Sequence, residues 1–148
     1  MNWQENILES DNQIKELLAQ VKNIAVLGIK TEEQSFQPAF YVPQYLSRVG
    51  FEIIPVPVYY PDVTSILGKK VYRKLADVPD EIDLLNVFRR PQDIPQHVED
   101  ILTKKPKAIW FQSGIRNDEA AKTFAEAGIK VVQDMCLMVE HQRFARRR

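Results

Sequence analysis

The chain has a single cysteine, Cys136, and only two histidines, His97 and His141. One thiol excludes an intrachain disulfide, and so few soft ligands exclude a cysteine-rich zinc site. No metal is expected. The cysteine usage suits a reducing compartment. Net charge is missing as well: 20 basic residues balance 20 acidic ones. A chain without excess positive charge is not an electrostatic nucleic-acid binder. No window approaches the roughly 18 consecutive apolar residues of a membrane span. The opening "MNWQENILES" lacks the basic start and apolar run of a secretory leader. A cytoplasmic domain with neither nucleic-acid nor membrane partners is the expectation.

What is present is an alternation of short apolar runs with amphipathic ones. A length of 148 residues fits one domain. Residues 3–20 carry Ile7, Leu8, Ile14, Leu17 and Leu18 at helical spacing, with Asp11 placed to cap a second helix. "NIAVLGI", "FEIIPVPV", "IDLLNVF", "KAIWFQ" and "KVVQDM" read as strands. "AFYVPQYLSRVG", "DIPQHVEDILTKK", "NDEAAKTFAEAGI" and "CLMVEHQRF" read as helices. Pro43 is expected in a first turn, Asp93 and Asn117 as caps, and an extended piece near Lys70–Tyr72. Strands and helices in this order predict an α/β, Rossmann-like, doubly wound parallel sheet of five strands, order 3-2-1-4-5. The expected organisation is a helical extension over 1–20, the α/β domain over 21–144 and a basic tail over 145–148.

Ligands in such folds bind at the carboxyl ends of the strands. After the first strand, Gly28 stands alone where a dinucleotide fingerprint would hold three glycines. Lys30, Ser35 and Gln37 add a charge and donors before a helix. After the second, Val56 and Val58 could pack on an adenine, with Tyr59 or Tyr60 stacking; no acid waits there for a ribose. After the third come Arg89 and Arg90, a pair suited to an anion. After the fourth, Gln112, Ser113 and Gly114 offer amide and backbone hydrogen bonds. Cys136, Glu140 and His141 follow the fifth. Glu140 and His141 point about 100° apart on a helix, and Cys136 is five positions from His141. Cys136 therefore reads as a buried structural thiol, and no catalytic residue is assigned.

Taken in order, these segments resemble the CoA-binding domain family, stand-alone relatives of the N-terminal domain of succinyl-CoA synthetase α subunits. The resemblance is carried by "VLGIK", "GFEIIPVPVYY", "LGKKVYRKLADVPDEIDLLNVFRRPQDIP", "AIWFQSGIRNDEAAKTFAEAGIKVV" and "DMCLMVEH". It implies that Gly28, Ile29 and Lys30 hold the CoA phosphates, and that Val56, Pro57 and Val58 flank the adenine and ribose. It places Phe88 and Arg89 along the nucleotide or pantetheine, and Gln112, Ser113 and Gly114 on the pantetheine arm. Arg90 and Ser35 complete the candidate set.

The function expected is non-catalytic binding of CoA or an acyl-CoA. The alternatives are a small enzyme acting on a CoA thioester or adenine nucleotide, and a ligand-sensing subunit. A homodimer or a protein partner stays open.

Overall fold

The computed structural model describes residues 2–145; beyond Ala145, the expected basic tail lies outside them. Strands β1 (Asn23–Leu27), β2 (Glu52–Val56), β5 (Leu84–Val87), β6 (Ala108–Phe111) and β7 (Lys130–Val132) form one sheet, ordered β2-β1-β5-β6-β7. Every pairing is parallel. A hairpin of β3 (Ser65–Ile66) and β4 (Lys69–Lys70) stands apart. The 3-2-1-4-5 pattern emerges once the chain just after that hairpin is included. The Lys69 ammonium meets the Glu52 carboxylate at 2.8 Å, and Tyr72 N–H donates to Pro55 O at 3.0 Å. This extended piece flanks β2 on the side away from β1, in the place of a third strand but outside the hydrogen-bonded ladder. "IDLLNVF" accordingly sits beside β1.

The sheet is buried on both faces because the interiors of its strands are apolar apart from Asn86 of β5. Ile24 and Val26 of β1 face one core, with Phe40, Leu46, Leu137 and Phe144. Ala25 and Leu27 face the other, with Ile101 and Phe124. The first core is covered by α1 (Asp11–Gln20), α2 (Pro38–Arg48) and α5 (Leu137–Ala145). The second is covered by α3 (Val98–Lys104) and α4 (Asp118–Glu126). The N-terminal segment joins this body: Leu8 N–H donates to Val131 O at 2.8 Å, and Ile14, Leu17 and Leu18 enter the first core.

Local chemistry sets several boundaries. Ser10, not Asp11, caps α1, accepting from Gln13 N–H while the Gln13 side chain returns to the Ser10 backbone. Asn117 caps α4 as expected, its side chain accepting from Ala120 N–H. Asp93 caps no helix. Pro91 and Pro95 each open a short 3₁₀ turn, and α3 begins only at Val98. Pro43 lies inside α2 rather than in its first turn. A proline there leaves the carbonyl four residues back without its helical donor. That carbonyl belongs to Ala39, and it accepts instead from Lys30 N–H at 3.1 Å. The proline thus frees an acceptor that ties the β1 loop to α2.

Candidate functional site

The winding reverses between β1 and β5: α2 follows β1 onto one face, while α3 follows β5 onto the other. A crevice is expected there, outside the strand ends. Gly28 N–H donates to Val56 O and Phe88 N–H to Leu27 O, both at 2.9 Å, so the ladders run to the sheet edge. Gly28 has φ +84°, and a Cβ on it would lie 2.3 Å from Phe88 O. Only glycine lets these two strand ends approach so closely.

Beside this junction opens a cleft of about 660 Å³. Its lining comes from the start of α2 (Gln37, Pro38, Ala39, Tyr41), the end of β5 (Phe88 to Pro91), the end of β6 (Gln112 to Ile115) and Cys136. Of the residues singled out in the sequence, Phe88, Arg89, Arg90, Gln112, Ser113 and Gly114 are brought together here. Gly28, Ile29, Lys30, Ser35, Val56, Pro57 and Val58 do not line it. Ile29 and Val56 are sealed in the cores, Pro57 is buried and Ser35 is exposed. Lys30 connects indirectly, its ammonium hydrogen-bonded to the Gln37 side chain. Sequence reasoning passed over Tyr41, Pro38 and Pro91 as cleft residues. Their placement depends on where α2 and the first 3₁₀ turn dock, which no local pattern states.

Arg89 is the most informative group. It is 8% exposed. Its Nε donates to His97 Nε2 at 3.1 Å, and Nη1 lies 3.5 Å from the Tyr59 hydroxyl. The guanidinium sits over the Tyr59 ring, 5.7 Å from its centroid. The Asp93 carboxylate stands 3.9 Å away and is engaged at 2.8 Å by Arg90. Hydrogen bonding to Arg90 holds the Asp93 carboxyl below its usual range. Burial, then the Arg89 charge, pushes the His97 imidazole down. To accept from Arg89, His97 must keep Nε2 bare. A buried cation held mainly by neutral partners, its one neighbouring carboxylate 3.9 Å away and shared with Arg90, is an attractor for an anion.

The start of α2 adds to this. Gln37 precedes the helix without a side-chain cap, and its first turn holds no acid. The positive end of the helix dipole therefore meets the cleft unopposed. Across the cleft, Gln112 is 4% exposed. Its Oε1 accepts from Leu137 N–H at 3.4 Å. The loop beyond it is fixed by Gly114 N–H, which donates to Asp134 Oδ1 at 2.7 Å.

Cys136 differs from its expectation: it is half-buried and borders the cleft. His141 is elsewhere, with Nδ1 2.7 Å from the Tyr45 hydroxyl and its ring edge-on to Phe51. Among the described residues no group of three or more His, Cys, Asp and Glu side chains could hold a metal ion. No helix among them is long and apolar enough to cross a membrane.

Comparison with known proteins follows the same line. The family model described as CoA binding domain matches residues 22–142. The uncharacterized protein YneT of Bacillus subtilis is 34% identical over 132 residues, covering 89% of this chain and 94% of that protein. The structure of the Thermus thermophilus protein cell-free ID.343 superposes with a TM-score of 0.84 at 39% identity, covering 92% of this chain and 99% of that one. A dinucleotide-forming acetyl-coenzyme A synthetase of Ca. Korarchaeum cryptofilum shares the fold at a TM-score of 0.63 and 22% identity. That match covers 78% of this chain and 26% of the synthetase.

Proposed function

We propose, for a chain that belongs to the CoA binding domain family, that it binds CoA or an acyl-CoA in the cleft beside Gly28 and Phe88, without turning it over. The observation that carries this reading is Arg89: a buried guanidinium bordering the cleft, with its nearest carboxylate 3.9 Å away. A phosphate of the ligand completes its coordination, helped by Arg90 and by the uncapped start of α2. Lys30 reaches the same region through Gln37. Phe88, Tyr41 and Ile115 supply apolar wall, and Gln112, Ser113 and Gly114 face the amide-bearing arm. Gly28, Ile29, Ser35, Val56, Pro57 and Val58 act by shaping the strand ends and the loop that precedes α2.

The second strand favours CoA over a pyridine dinucleotide. Val56, Pro57 and Val58 bring no carboxylate to its tip, where a ribose diol would need an acceptor. Calorimetric titration with CoA, dephospho-CoA and NADH tests the reading. CoA binds one-to-one and at least about tenfold more tightly than NADH, a difference of about 1.4 kcal/mol. Equal or tighter NADH binding overturns it.

A further inference from the structure

His97 stands behind Arg89, in a second and smaller hollow lined by Arg73, Lys74, Gln96, Glu99 and Asp100. Two donors converge on its Nε2: Arg89 Nε–H at 3.1 Å and the Gln96 amide at 3.4 Å. A guanidinium keeps its protons, so the ring is neutral, with Nε2 bare and its proton on Nδ1. Protonating Nε2 would break both contacts and set a second positive charge against the buried Arg89. The other charged groups facing the ring are already engaged or exposed. Asp93, in the first 3₁₀ turn, is held by Arg90 at 2.8 Å. Asp100 of α3 accepts from Leu75 N–H at 2.8 Å and from Ala76 N–H at 3.1 Å. Arg73 donates to the Tyr59, Tyr60 and Val63 carbonyls, and Lys74 and Glu99 are exposed. Burial and the Arg89 charge outweigh the two carboxylates and keep the ring less basic than usual. Of these charges, only Arg89 borders the cleft.

A phosphate arriving at Arg89 changes this balance at a single point. Its negative charge offsets the guanidinium, and its oxygen can take over the Nε–H that His97 accepts in the free protein. Nε2 is then able to bind a proton and to donate it toward the same anion. Resting on the CoA reading, we propose that phosphate binding at Arg89 is coupled to uptake of a proton by His97. The bound form carries the extra proton, so the ligand is held more tightly as pH falls from about 8 to about 6, the range in which an imidazole titrates. The coupling is reciprocal: the ligand raises the affinity of His97 for its proton by the factor that the proton raises the affinity for ligand.

Dephospho-CoA is the probe, because the 3′-phosphate of CoA itself titrates at about pH 6, whereas a pyrophosphate diester stays ionised across the range. Calorimetric titration at the two ends of that range should show affinity rising at least about threefold with acidity, and His97→Gln should abolish the rise. NMR of the imidazole protons follows the same event in the native protein. With only two histidines, His97 and His141, the signals are assigned by which one is lost in His97→Gln or in His141→Gln. Saturation with dephospho-CoA should move the His97 titration to higher pH. Affinity that is flat or falls with acidity, or a His97 titration unmoved by saturating ligand, overturns the coupling and leaves the CoA reading standing. A pH dependence that survives in His97→Gln does the same. No binding at either pH overturns both.

Discussion

Replacing Gly28 by alanine probes the junction on which the cleft is built. At φ +84° an alanine pays the left-handed penalty of about 1–2 kcal/mol. The new methyl would also sit 2.3 Å from Phe88 O, where real Cβ atoms keep beyond 3.0 Å. The obstacle is backbone at the end of a central strand, so no side chain can swing aside. Separating β1 from β5 costs on the order of 1–3 kcal/mol, as for other overpacked cores. Together these give about 3 kcal/mol, or a fall in Tm of about 9 °C for a domain of this size. Urea denaturation followed by circular dichroism measures it. Arg89 moves with Phe88, its Cδ lying 3.3 Å from the same methyl position, so CoA affinity falls in the variant that remains folded. A loss under about 1 kcal/mol with affinity intact would refute the close-approach argument.

Asn86 gives the opposite sign. It is fully buried in β5, and neither polar atom of its side chain has a partner. Asn86→Leu, which keeps the branching of the side chain while removing both unpaired polar atoms, raises stability by about 1–3 kcal/mol in the same denaturation assay; a clear loss would show that the amide is satisfied in solution or that the larger methyl groups do not fit. His97 sets a pH dependence. Its folded-state pKa is depressed, so the unfolded chain takes up the proton first and stability falls with it. The contribution is complete above the ordinary value of 6.5 and is lost as pH drops below it. A urea midpoint that declines between pH 7.5 and 5.5, and flattens in His97→Gln, is the expected result. Asp83 acts at lower pH. Burial alone would raise its carboxyl, but hydrogen bonds from Lys22 N–H and Asn23 N–H, with Lys107, hold it down. Its stabilisation is lost as pH falls below 3.8, the ordinary value, and Asp83→Asn removes that acid-range slope.

The sheet was legible because its strands are continuously apolar and bounded by turn residues; "NIAVLGI" and "KAIWFQ" leave little alternative. The extended piece beside β2 was less so, since Lys69–Tyr72 is short and polar and is held there by the Tyr72 N–H bond to Pro55 O and the Lys69–Glu52 ion pair. Arg89, Gln112 and Gly114 could be read as site residues because they directly follow strands, where any doubly wound fold opens its crevice. The partnership of Arg89 with His97 could not. It needs the two 3₁₀ turns begun by Pro91 and Pro95 to bring an imidazole back over the strand end. Pro43 misled in a similar way: its cost is offset by the Lys30 N–H, a contact between segments that sequence spacing does not reveal. Cys136 reads as a core residue by type, and only the docking of α5 against the end of β6 puts it at the rim.

The central claim is that a buried guanidinium anchors CoA in this cleft. Calorimetric titration of CoA into the native protein, Arg89→Ala and Arg116→Ala tests it most directly. Arg116 is exposed, is paired with Asp118 and does not border the cleft, so it controls for lost charge. The native protein and Arg116→Ala should bind alike, with Arg89→Ala weaker by about tenfold to a hundredfold. Equal weakening in both variants, or full affinity in Arg89→Ala, would contradict the account.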